Sequence, residues 1–182
     1  MSDWLVIAAC VTVALAALQD LATLRIYNLW SLALILLFGA WAWTSVGLDS
    51  ALLHNLTFAL AIFALGALLF WLGWFGGGDV KLMAACALWF DWTAGSIYLI
   101  AVLLGGGVLS LMLIFGRRLA AAFISQEISW PALKPRGPIP YGVAIAAGAI
   151  LSLSIGGPRP VHDVFDGLAT SLPSASAGAS AH

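Results

Sequence analysis

Two aspartates carry the chemistry open to this chain. Asp79 follows three glycines in WFGGGDVKLMAA, residues 74–85, and runs straight into an apolar stretch. Asp20 sits in AALQDLATLRIYNLW, with apolar residues on both sides and Arg25 a little further on. Only 8% of the residues are charged, so a carboxylate in either setting is costly unless it is paired or solvated. Two carboxylates sharing one site do not both ionise easily, and such a pair holds a single proton near neutrality. That suits water-mediated peptide hydrolysis, in which one Asp deprotonates the water and the other protonates the scissile carbonyl. It equally suits a proton relay in a transporter, and residue chemistry by itself leaves both open. Gly76, Gly77 and Gly78 carry no Cβ and can take positive φ, which would let another backbone approach Asp79 closely.

The elements that must position these carboxylates are apolar. Of 182 residues 63% are hydrophobic, and the mean hydropathy is +1.05. A soluble domain is roughly half apolar and about a quarter charged. Six segments, roughly Trp4–Leu24, Leu29–Val46, Leu52–Trp74, Val80–Trp89, Ser96–Phe115 and Ile139–Ile155, read as membrane helices. Trp4, Trp30, Trp43, Trp71, Trp74, Trp89 and Trp92 fall near segment ends, where amphipathic rings prefer the interface. No Lys or Arg precedes the first segment, so it lacks a signal peptide's positive n-region and reads as a retained helix. The expected fold is all-α: a polytopic membrane protein with six transmembrane helices over residues 1–157. Residues 158–182, rich in Pro, Ser, Ala and Gly, read as a flexible tail.

Basic residues set the orientation. Arg25, Lys81, Arg117, Arg118, Lys134 and Arg136 fall in the first, third and fifth connections. Asp49 and Asp91 mark the second and fourth, which hold no Lys or Arg. The positive-inside rule then puts the odd connections in the cytoplasm and both termini outside; Arg159, in the tail, is the exception. Asp20 comes about one turn inside the cytoplasmic boundary of a helix that needs about 20 residues to span. Asp79 precedes a segment of about a dozen residues, under about 20 Å long, against a core of about 30 Å. Both carboxylates therefore arrive at similar depth on one side, whereas Asp49 and Asp91 are solvated loop residues. The bland alternative for Asp79 is an N-cap on the fourth helix. The stretch RRLAAAFISQEISW, from Arg117, fits a short interfacial helix or an ordinary basic loop equally. Cys10 and Cys86 lie apart within apolar segments, and His54, His162 and His182 are scattered. No disulfide, metal or cofactor is expected, and a net charge of −1 with no basic run gives no sign of a nucleic-acid partner.

GGGDVKLMAA resembles the GxGD signature of intramembrane aspartyl proteases, and more specifically of the type IV prepilin peptidases. Asp20, Arg25, Ile26 and Asn28 resemble that family's Asp, basic residue and Ile-Pro-Asn, with Tyr27 where Pro is usual. GPIPYGVAIAAGAI resembles its last helix, with Pro140-Tyr141-Gly142 at the start. The resemblance implies that Asp20 and Asp79 are the catalytic pair and that Gly76, Gly77, Gly78 and Lys81 form the active-site loop. Arg25, Asn28, Pro140, Tyr141 and Gly142 become substrate-binding or structural residues, with Asn28 also a candidate cap for the second helix. It further implies a membrane aspartic endopeptidase of the bacterial inner membrane. Such an enzyme removes the basic leader of prepilins and pseudopilins at the cytoplasmic face. The short first connection without cysteine pairs resembles the peptidase-only branch of tight-adherence (Flp-type) pili, so no methyltransferase activity is expected. Presenilin-like proteases share GxGD and add Pro-Ala-Leu; Pro131-Ala132-Leu133 occurs here only in a polar loop, and Gln19 replaces their Tyr. Two readings from other classes stand beside this one: a small proton-coupled transporter using the same pair, and a non-catalytic subunit of a secretion machine. Against the transporter, the chain shows no inverted repeat.

Overall fold

The computed structural model describes residues 3–45, 50–123 and 139–156. Six helices and no strand occur among them: α1 (Asp3–Thr23), α2 (Asn28–Ser45), α3 (Ser50–Trp71), α4 (Gly77–Ala87), α5 (Trp92–Phe123) and α6 (Tyr141–Gly156). Each falls on one of the six apolar segments. Trp4–Thr23, Leu52–Trp71 and Trp92–Arg118 are long and apolar enough to cross a membrane, while α2 and α6 are apolar but shorter. At 11 residues, α4 is about 16 Å long. The fifth segment does not stop at Phe115: α5 carries Arg117 and Arg118 on to Phe123 without a break. Asp49, Pro131-Ala132-Leu133, Lys134, Arg136, the remainder of the fifth connection and the tail lie outside the described residues.

The inward face of α1 shows how the bundle closes. Leu5, Ala9, Val13, Ala16 and Ala17 are buried, and Trp4, Ile7, Val11, Leu15 and Leu18 are exposed. This is helical periodicity with small side chains inside and large ones outside, the pattern that lets helices approach closely in lipid. Asp20 continues the buried stripe and is only 4% exposed. Packed this way, α6 lies between α1 and α5, and α4 lies between α2 and α3 and also touches α6. At Gly148 an added Cβ would sit 2.6 Å from a Val102 methyl, so that glycine sets the α5–α6 spacing. Large apolar side chains cover the outer faces of α1, α3 and α5, far beyond what water tolerates. The chain is a membrane protein.

Because α4 is enclosed, Val80, Leu82, Met83, Ala85, Cys86 and Ala87 are all buried, and a short helix can be apolar nearly all round. Neighbours fix its far end. The Tyr98 hydroxyl donates to the Met83 carbonyl at 3.2 Å, and Asn55 Nδ2 donates to the Leu88 carbonyl at 3.0 Å. Trp89 packs against Phe38 and Trp41, with ring centroids 5.8 and 6.1 Å away. Trp89 is thus core, not the interface anchor its position suggested; Trp4, Trp43, Trp71, Trp74 and Trp92 are exposed.

The chain leaves α1 without proline's help. Leu24 takes φ 54 and its N–H donates to the Asp20 carbonyl at 2.8 Å, an αL helix stop. Trp30 Nε1 donates to Gln19 Oε1, tying the start of α2 back to α1. A left-handed backbone costs an L residue about 1–2 kcal/mol, part of which glycine returns through unfolded-state entropy. Leu24→Gly should therefore stabilise the protein by about 0.5–1 kcal/mol, read as a higher thermal midpoint in detergent. A lower midpoint would mean that the Leu24 side chain matters more than its backbone.

Candidate active site

At the end of the bundle where α1 stops and α4 and α6 begin, a cavity of about 770 Å³ opens between them. Asp20 and Asp79 both line it, and the Asp20 carboxylate acts electrostatically on Asp79. Helices separated by more than fifty residues thus deliver their carboxylates to one space.

Asp20 is held by the start of α6. Its Oδ2 accepts the Gly142 N–H at 2.8 Å, in a buried hydrogen bond. Gly142 is the second residue of α6, so its N–H has no partner within the helix, and a helix N-terminus favours a carboxylate. Only glycine permits the approach: a Cβ at Gly142 would lie 2.8 Å from Asp20 Oδ2 and 3.0 Å from both Asp20 Cβ and Ile26 Cδ1.

Asp79 lies in the first turn of α4 but is not its cap. Gly76 holds the N-cap position, with φ −77 and ψ 139, and the Asp79 carboxylate reaches back to accept a hydrogen bond from the Gly76 backbone N–H. The glycines also differ from expectation. Among the described residues the left-handed glycine is Gly73, at φ 77, not one of the triplet. What the triplet supplies is absent Cβ atoms. A Cβ at Gly76 would lie 2.5 Å from Asp79 Oδ2, one at Gly77 3.3 Å from the Phe70 ring, and one at Gly78 3.0 Å from the Ile26 carbonyl oxygen. Ile26 is therefore the wedge between Gly78 and Gly142, and its place sets the spacing of the two acidic elements. Sequence reasoning passed over that role, although Ile26 sits inside the motif that carries Asn28.

The other singled-out residues divide. Arg25, Tyr27 and Tyr141 line the cavity; Tyr141 stacks on Phe75, centroids 5.2 Å apart and planes at 26°. Pro140 is buried beside them. Lys81 does not line the cavity. Its Nζ donates to Asn28 Oδ1 at 3.0 Å, fastening α4 to the first residue of α2. Arg117, expected at the start of either an interfacial helix or a basic loop, lines the cavity from α5. Only the uninterrupted course of α5 reveals this.

A model of the type IV leader peptidase family matches residues 7–115. The chain belongs to that family. The match runs from α1 into α5 and includes both aspartates. No curated protein and no solved structure matches the chain. In this leader peptidase family member the matched region ends before α6, so the contact between Gly142 and Asp20 is a finding of the structure.

Proposed function

We propose that this protein is a membrane aspartic endopeptidase that removes the leader of prepilin-like substrates of the Flp type, with Asp20 and Asp79 as its catalytic pair. The observation that carries the reading is the meeting of these two carboxylates in one cavity, in a chain of the leader peptidase family. In the cavity one carboxylate takes a proton from water as the oxygen attacks the scissile carbonyl carbon. The other gives its proton to the carbonyl oxygen, forming a gem-diol. As this collapses and the C–N bond breaks, the first carboxyl passes its proton to the leaving amine and the second takes one back from a gem-diol hydroxyl. Arg25 and the aromatic rings of Tyr27 and Tyr141 form the walls against which an extended peptide lies. The helix bundle spans the bacterial inner membrane with both termini outside, by the Lys/Arg asymmetry of the connections. The cavity then faces the cytoplasm.

A helical peptide bond has its carbonyl engaged and its faces crowded, so only the extended stretch before a substrate's apolar helix can be cut. The test uses sealed bilayer vesicles and a substrate with a basic leader. Moving the scissile bond one turn into the apolar segment, about 5.4 Å, should stop cleavage; lengthening the leader at its far end should not. Reporter fusions after Lys81 and after Asp91 should fall on opposite faces of the membrane. Undiminished cleavage of the shifted bond, or fusions on the same face, would refute the placement.

A further inference from the structure

We infer that the groove between α2 and α3, floored by α4, receives the apolar helix of the substrate while its leader lies in the cavity. The inference rests on the function proposed above. Both α2 and α3 pack on α4 but make little contact with each other, and α4 is too short to fill the slot between them. What remains is a groove of about 530 Å³, almost wholly apolar.

Three observations favour a helix as occupant. The groove's lining includes small residues, Ala59, Ala84 and Ser31, the surface that lets another helix backbone come close in lipid. Ser31 is 6% exposed, and its Oγ has no hydrogen-bond partner among the described residues. A buried hydroxyl without a partner is costly, and a helix packed here offers one, as polar side chains do between membrane helices. Third, the groove adjoins the cavity, its lining starting at the residues next to those that line the cavity. Its polar mouth is the Lys81–Asn28 pair; Asn28 follows Tyr27 of the cavity wall, and Lys81 comes two residues after Asp79. A helix seated in the groove thus ends where an extended segment must enter the cavity.

Lys81 gives this arrangement a register. Its ammonium group at the mouth, held by Asn28 Oδ1, marks where the apolar lining ends and a polar stretch of substrate begins. The leader stays on the side of the two carboxylates, and the boundary between basic and apolar stretches is held at the cavity's edge. Selection for cleavage at a fixed distance from the apolar run follows directly.

The test is photo-crosslinking in bilayer vesicles with the full chain, carrying Asp79→Asn so that substrate stays uncut. A benzophenone side chain introduced at Leu60, on the groove and 66% exposed, is compared with one at Leu111, on the outer face of α5 and 68% exposed. Adducts to the substrate's apolar segment should form from position 60 at about tenfold the yield from 111 or more. In the active protein, Ala84→Phe should raise KM for a substrate bearing its apolar helix about tenfold with kcat little changed. Leu60→Trp, at the exposed rim, should do the same if Ala84→Phe fails to fold. Adducts only to lipid, adducts only to a second copy of this chain, or equal yields from both positions would overturn the inference. Cleavage by the wild type with no adduct from position 60 sinks the groove alone, whereas a wild type that cuts nothing sinks the enzymatic reading beneath it.

Discussion

Asp20→Asn and Asp79→Asn should each lower leader cleavage by at least about a thousandfold, a general acid–base loss, while leaving the protein folded and inserted. Asn preserves the shape of the side chain but cannot take a proton from water. At position 20 its amide oxygen can still accept the Gly142 N–H that Asp20 Oδ2 accepts at 2.8 Å, so the joint between α1 and α6 survives. At position 79 the first turn of α4 loses a favourable charge near its N-terminus, worth about 0.3–1 kcal/mol, too little to unfold an enclosed helix. Asp91→Asn is the control. Asp91 Oδ1 accepts the Ala94 N–H at 2.7 Å at the start of α5, a task Asn performs as well, and cleavage should be unchanged. Asp49→Asn should be equally silent. The measurement is leader removal by each variant in bilayers, with thermal midpoints as the folding check. Either Asp variant retaining cleavage within about tenfold of wild type discards the two-carboxylate mechanism. Proton-dependent solute uptake lost in both would favour the transporter.

The second large effect comes from a residue that is no acid at all. Gly142→Ala should reduce cleavage by about a hundredfold, because a misplacement of about 1 Å at a reacting group costs that much. The added methyl would meet Asp20 Oδ2 at 2.8 Å and Ile26 Cδ1 at 3.0 Å. None of these atoms has slack: Asp20 is buried on the inner stripe of α1, and Ile26 is pinned from the other side by Gly78. Relief requires the start of α6 to withdraw, which lengthens the Gly142–Asp20 hydrogen bond and shifts the carboxylate away from Asp79. Gly107→Ala on α5, where a Cβ meets nothing within 4 Å, should leave activity intact. Comparable activity in the Gly142 and Gly107 variants would show that Asp20 is not positioned through α6.

Much of the helical layout is legible because lipid imposes it. Apolar runs of sufficient length must be helical in a bilayer, so the six segments and the six observed helices coincide within a few residues except at the end of α5. Beyond the apolar runs the sequence leaves choices open. The fifth segment loses its apolar character after Phe115, and the stretch from Arg117 reads equally as an interfacial helix or a loop. Arginine is a good helix former, and α5 runs on through both to Phe123. Trp89 was assigned to an interface for the same reason that misleads elsewhere: a ring near a segment end has the same composition whether it faces headgroups or a neighbour.

The sequence by itself determined that one carboxylate closes an apolar segment and another opens one, with three glycines preceding the second. The structure puts Asp20 on the buried side of α1, with Ala9, Ala16 and Ala17. Only the tertiary structure decided which groups those carboxylates meet. Gly142 lies 122 residues from Asp20, beyond the reach of any local pattern, and its partner is a backbone N–H that no side-chain type announces. The glycine triplet is likewise ambiguous in one dimension, since absent Cβ atoms serve a turn, a substrate or a neighbour alike. Packing resolves it: Ile26 fills the space those missing atoms leave between Gly78 and Gly142. Lys81 and Arg117 likewise take places that packing decides. Helix direction turns Lys81 towards Asn28, and the length of α5 carries Arg117 to the cavity, because side-chain direction in a bundle is set by how whole helices seat against one another.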